Sequence, residues 1–167
     1  LSSNAKVVID SSGNVGIGVV PDTWAGTGAA IQLDGTGHVA TANQYAYFGS
    51  NYYYNSGWKY TTSSTAAQYR QDSGSHQWLT ASSGTADAAL TWSQAMTIDS
   101  SGNVGIGTSS PNELIELSAQ SDPRIRINNS DTALTANQII GGLEFYTNDP
   151  SSGGTGIGAS IDAYAQS

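Results

Sequence analysis

Cysteine is absent from the 167 residues, and charged side chains make up only 11% of them. The first absence excludes disulfides and thiolate metal sites. Five basic residues, scattered singly among thirteen acidic ones, leave a net charge of −8. Without a basic stripe nothing neutralises phosphates, so nucleic acid is not an expected partner. No apolar run approaches the roughly 20 residues of a membrane-crossing helix, and membrane insertion is not expected either. Hydrophobic content, 38%, falls below the roughly 45–50% of ordinary globular chains. A chain with so little core, and no sulfur or metal staple, commonly gains stability by oligomerising.

Glycine (20 residues), serine, threonine, alanine and asparagine fill the deficit. Disordered segments combine low hydrophobicity with high charge, whereas here charge is low too. Aromatic and β-branched residues are plentiful, which suits strands.

One decapeptide, IDSSGNVGIG, occurs twice without a difference, at Ile9–Gly18 and Ile98–Gly107. Val7, Ile9, Val15 and Ile17 are apolar at alternate positions, the period of a strand. The SSG at Ser11–Gly13 predicts a three-residue hairpin loop with Gly13 left-handed. That loop pairs Asp10 with Asn14, Ile9 with Val15 and Val7 with Ile17, and puts the four apolar residues on one face. The second copy predicts the same for Met96, Ile98, Val104 and Ile106 around Gly102. One small hairpin cannot bury such a face alone. It lies either against other strands of its own chain or against copies of itself. Pro21 and Pro111 follow the two copies and end each ladder, because proline has no N–H to donate.

Most aromatic residues fall between Ala42 and Trp92. AAQYRQDSGSHQWLTA predicts a second kind of hairpin, with a four-residue loop at Asp72–Ser75 that sets Gln71 opposite His76 and Tyr69 opposite Trp78. Leu90 and Trp92 alternate and, after a break in the pattern, so do Met96 and Ile98. Further on, Ile125 and Ile127 alternate with Arg124 and Arg126. Leu143, Phe145 and Thr147 share one face, as do Ile157, Ala159, Ile161 and Ala163, with a turn-rich NDPSSGGTG between the two runs. ELIELSAQ reads equally as a helical turn or a strand. TWAGTGAAIQLDGTGHVATAN and TTSSTAA read as strand–loop connections. The start at Leu1 and the end on AYAQS, inside a strand pattern, read as a piece of a longer polypeptide.

The chemistry-bearing residues form no recognisable catalytic set. His38 and His76 have no nearby His or Cys, so no zinc spacing exists and neither metal nor cofactor is expected. Asp10 and Asp99 open the two repeat turns and are expected to accept hydrogen bonds from turn amides. Asp72, Asp87, Glu144 and Asp149 are carboxylates that a glycosidase could use, but nothing in the sequence brings a pair together. GNVGIG fails as a phosphate loop because proline, not a helix, follows it. An enzyme is therefore not expected. The tyrosine–tryptophan cluster is the one feature with binding potential, since rings with polar tips stack on sugars. Tyr52, Tyr53, Tyr54 and Trp58 are the candidate glycan-binding residues. The competing reading makes them the core of the middle module. Three consecutive tyrosines in a strand cannot all point inward, so Tyr53 or the pair Tyr52 and Tyr54 is expected to face outward.

IDSSGNVGIGTSSP resembles the module that recurs in tail fibres and related adhesins of tailed bacteriophages, especially aquatic ones. AMTIDSSGNVGIG resembles the end of one fibre module running into the next, and RIRINNSDTALTANQIIGGLEFYTNDPSSGGTGIGASIDA is similar to the segment that follows it in such fibres. The resemblance covers about two thirds of the chain, with VVP departing from TSSP in the first copy. It implies an all-β, elongated, homotrimeric fibre segment built of short β-hairpin modules. These are a first hairpin repeat (1–21), an aromatic-rich β module (22–95), a second hairpin repeat (96–111) and a truncated third β module (112–167). Its implied partners are further copies of itself, other virion proteins and host surface polysaccharide, and its place is the virion exterior. The residues expected to pack the trimer are Val7, Ile9, Val15, Ile17, Met96, Ile98, Val104 and Ile106. The alternatives are a polysaccharide-degrading tailspike and a bacterial surface adhesin.

Overall fold

The structure, a computed structural model, describes residues 6–24, 29–42, 45–147 and 156–164. Among them strands are the only long regular elements, so the fold is all-β as expected. They are β1 (Val7–Ile9), β2 (Val15–Ile17), β3 (Ala30–Leu33), β4 (Gly37–Ala42), β5 (Tyr45–Ser50), β6 (Tyr52–Tyr54), β7 (Trp58–Tyr60) and β8 (Ser64–Asp72). Then come β9 (Ser75–Gly84), β10 (Ser93–Ile98), β11 (Val104–Ile106), β12 (Ile115–Leu117), β13 (Ile139–Thr147) and β14 (Gly156–Tyr164). The chain divides into two compact units, Leu1–Pro123 and Arg124–Ser167. The expected segments 1–21, 22–95 and 96–111 all give strands to one sheet of the first unit, and the division falls inside the expected 112–167 segment.

That sheet has ten strands in the order β1-β2-β3-β4-β5-β8-β9-β10-β11-β12. Neighbours are antiparallel except β2/β3 and β11/β12, which are parallel. Both repeat hairpins have the expected register, Val7 opposite Ile17 and Ile9 opposite Val15, then Met96 opposite Ile106 and Ile98 opposite Val104. Gly13 and Gly102 take φ of +83° and +89° at the turns, a conformation open to glycine at no steric cost.

Each repeat hairpin continues into a third strand. Ile31-Gln32-Leu33 runs parallel to β2, and Ile115-Glu116-Leu117 runs parallel to β11 in the same register. The connection from β2 folds tightly over its own strand: a Cβ on Gly16 would stand 2.2 Å from the Val19 carbonyl oxygen and 2.7 Å from Pro21 Cδ. At Gly105 the Thr108 carbonyl oxygen would stand 2.7 Å from such a Cβ. The glycines of VGIG thus serve a crossover, and the structural repeat is a three-stranded unit. ELIELSAQ accordingly holds a strand and no helical turn.

Three other expectations change. AIQL and HVATA, read as connections, form β3 and β4, and the TTSSTAA connection already contains the start of β8. The loop expected to span Asp72–Ser75 is a two-residue turn, because Asp72 pairs with Ser75 and both Ser73 and Gly74 have positive φ, the twist-matched geometry of tight hairpins. Arg124–Asn128 keeps its alternation but joins no ladder, leaving Ile125 and Ile127 exposed. Tyr69 and Trp78 do face each other across β8 and β9, with ring centroids 5.3 Å apart.

The core lies on one side of the sheet. There the strands contribute the small residues Ala30, Ala40, Ala66 and Ala81 together with Tyr47, and the covering layer contributes further rings. Tyr52 and Tyr60 come from the β6–β7 hairpin, Trp24 and Leu90 from the segments flanking it. The approach is close enough that a Cβ on Gly84 would meet the Tyr60 ring at 2.1 Å. In the second unit β13 and β14 pair antiparallel, Leu143 opposite Ile161 and Phe145 opposite Ala159. The NDPSSGGTG turn between them lies outside the described residues but for its last glycine.

Candidate functional site

The other side of the ten-stranded sheet carries the candidate site. Cross-strand partners share a face, so the registers can be followed from edge to edge. They run from Ile9 through Val15, Ile31, Val39, Phe48, Tyr69, Trp78, Met96 and Ile106 to Leu117, one residue from each strand. Every member of this row is apolar or aromatic. Within the first unit none is sealed: Ile9 is 66% exposed and Phe48 64%, and the others are exposed or half-buried. Sheets with one wet face normally put polar residues there. Here the order is inverted, because the sheet's charged side chains, Arg70, Asp72 and Glu116, sit on the side of the aromatic core by strand alternation.

All eight residues expected to pack copies together lie on this outward face. Val7, Ile9, Ile17 and Ile106 are exposed, while Val15, Met96, Ile98 and Val104 are half-buried. The break seen before Met96 is a β-bulge: the register shifts between Gln94 and Met96, which turns Met96 back toward Trp78. Had the strand alternated regularly from Gln94, Met96 and Ile98 would point to the core side. The sequence reading missed Ile31, Leu33, Val39, Phe48, Ile115 and Leu117 as members of the face. For Ile31, Leu33 and Val39 the signal was period two in AIQL and HVATA, around Gln32 and Ala40.

The ends of the face are fixed by the repeat turns. Asp10 Oδ1 accepts the N–H groups of Ser12 and Asn14, both at 2.9 Å, and Asn14 Nδ2 donates to Asp10 Oδ2 at 2.8 Å. Asp99 makes the same three bonds with Ser101 and Asn103. These donors hold both carboxyls below the usual range, the Asn14 side chain contributing most for Asp10 and the Asn103 backbone N–H for Asp99. The two crossovers share a second clasp. Gln32 Oε1 accepts the Asp22 N–H at 2.7 Å, and Glu116 Oε2 accepts the Asn112 N–H at 2.8 Å. Acid and amide have exchanged places between the copies, yet each pair retains one of each.

Asn14 does more than its counterpart. It is 1% exposed, and its Oδ1 also accepts the Ala30 N–H at 3.1 Å, tying the turn to β3. Asn14→Ala orphans a buried amide and is expected to cost about 1–3 kcal/mol. Asn103→Ala, at a half-buried site open to water, is expected to cost distinctly less. Urea unfolding of the two variants side by side checks the difference.

Tyr53, or else the pair Tyr52 and Tyr54, was expected to face outward, yet Tyr52 and Tyr53 are both buried. Tyr52 is 1% exposed and Tyr53 8%. Tyr54 and Trp58 are partly buried and pack against the same core, with ring centroids 5.0 Å apart. The hairpin is covered on both sides, which is how consecutive tyrosines are buried together. Tyr52 meets the sheet, while Tyr53 donates its hydroxyl to Asp87 Oδ1 at 2.6 Å. That bond first, and burial second, push the Tyr53 phenol up to about 12. A stacking platform needs an open ring face, and Tyr52 and Tyr53 have none.

Among the described residues no group of three or more His, Cys, Asp or Glu is arranged to hold a metal. His38 and His76 lie on opposite faces of the sheet, the first against Trp24 and Tyr52, the second beside Tyr69. Asp72 lies 3.8 Å from Arg70, Asp87 is engaged by Tyr53, and Glu144 belongs to the second unit. Asp149 lies outside the described residues. On the outward face an apolar groove of about 480 Å³ is lined by Gly37, Phe48, Ser50, Ala67, Tyr69, Trp78 and Thr80, with Gly49, Gln68 and Leu79 at its floor. No protein-family model matches this chain, and no curated protein matches it.

Proposed function

We propose that this chain is a structural and adhesive segment of a trimeric phage tail fibre, borne on the outside of the virion, whose outward sheet face is covered by two further copies. The observation that carries the proposal is the unbroken apolar row across ten strands on a face without a charged residue. A solvated face of that kind is disfavoured by roughly 25 cal/mol for each Å² of apolar surface left in water.

The role is binding and support rather than turnover. Neighbouring virion proteins join the ends of such a segment, and host surface polysaccharide is what the assembled fibre touches. The duplicated three-stranded unit supports this reading, because a repeated unit with one apolar side is completed by identical neighbours.

Sedimentation equilibrium tests it. The expected mass is three times 17.2 kDa, and it should persist in molar salt because the contact is apolar rather than ionic. A particle of 17.2 kDa at micromolar concentration would overturn the proposal.

A further inference from the structure

On the outward face tall and short side chains are sorted into two adjacent lines. Phe48, Tyr69 and Trp78 stand side by side on β5, β8 and β9. Two residues along the same strands, about 7 Å away, Ser50, Ala67 and Thr80 stand opposite one another. The first line is a ridge of rings. The second is the trough of about 480 Å³ beside it, which its own short side chains leave open.

We infer that ridge and trough are the two halves of one contact, the aromatic ridge of one copy seating in the trough of the next. This rests on the self-association proposed above and specifies what sets the copies in register. Both halves lie on one sheet, and in the trimer proposed above every copy offers a ridge to one neighbour and a trough to another. A contact of that head-to-tail kind closes into a ring when each step turns by a third of a revolution.

The lining favours a protein ring over a sugar. Ligand sites for polar molecules place several convergent hydrogen-bonding groups around an apolar wall. Here the trough offers the hydroxyls of Ser50 and Thr80 between an alanine and three aromatic side chains, with no charged residue on the face. A second copy supplies the missing apolar volume from Phe48, the most exposed of the three rings.

Ala67→Trp and Phe48→Ala test the inference on the whole chain. Both positions are exposed, so the fold of a single copy should survive, as circular dichroism would report. Ala67→Trp makes the face more apolar while filling the trough. General hydrophobic clustering therefore predicts equal or tighter assembly for it. A seated ridge predicts the reverse, assembly weakened roughly tenfold or more by sedimentation velocity, with Phe48→Ala weakened similarly. Thr80→Trp fills the same trough from the next strand and should repeat the loss if Ala67→Trp does not fold. Wild-type assembly with trough-filling variants that assemble equally well would overturn ridge and trough while leaving self-association intact. A monomeric wild type would overturn both.

Discussion

Tyr52→Ala is expected to lower the stability of the first unit by about 3–5 kcal/mol, enough to unfold much of it, since whole domains hold only about 5–15 kcal/mol. The Tyr52 ring is the hub of the aromatic cluster. Its centroid lies 4.1 Å from His38, 4.8 Å from Trp92, 5.4 Å from Trp58 and 6.1 Å from Trp24, all edge-on or nearly so. The sheet beneath contributes alanines, whose side chains cannot move to fill the void, and the rings of Tyr47 and His38, which are held by their own packing against Trp58 and Trp24. The cavity therefore stays open, which is the expensive case for a large-to-small change. Urea unfolding followed by near-ultraviolet circular dichroism measures the loss. The same experiment separates core from sugar platform, because a ring that merely stacked on a ligand could be removed without shifting the midpoint. An unchanged midpoint would count against the core assignment.

Stability is also expected to fall by about 3 kcal/mol as pH drops from 6.5 to 4, through His38. This imidazole is 2% exposed, and burial pushes it down to about 4 from its ordinary value near 6.5. Between those values the unfolded chain binds a proton that the folded chain refuses, so acid favours unfolding. Above pH 6.5 the group is neutral in both states and the slope vanishes. Asp22 acts in the opposite sense: burial raises its carboxyl, so the fold takes up that proton more readily than the open chain. Asp10 and Asp99, held low by their turns, lose their contribution only below the ordinary carboxylate range. His38→Phe should flatten the slope between pH 6.5 and 4. A slope unchanged in that variant would show that another group carries it.

The parts legible from sequence were those decided within a few residues of chain. IDSSGNVGIG specifies its hairpin because Asp10, Gly13 and Asn14 close the turn by themselves, and period two then fixes which residues pair. The Tyr69–Trp78 pair followed likewise from its turn, although Ser73 and Gly74 made it tighter than expected. Errors began where partners lie far apart in the chain. β3 reads as a connection in the sequence because its four residues carry only one repeat of the alternation, Ile31 and Leu33 around Gln32. The expectation that one side of the tyrosine run stays wet failed because the Asp87 segment, thirty-four residues after Tyr53, covers the side of β6 that a lone strand would leave open.

The sequence by itself determined an all-β chain, two identical hairpins with their register, and four apolar residues on one face of each. These depend on backbone alternation and turn geometry, which act locally. Only the tertiary structure decided that both hairpins share one sheet, that parallel crossovers over Gly16 and Gly105 extend each into a three-stranded unit, and that the tyrosine run is core. It also decided which way the apolar face points. Alternation places residues on two sides of a strand, but which side meets the aromatic layer depends on where distant segments pack, and that choice left the apolar row facing outward.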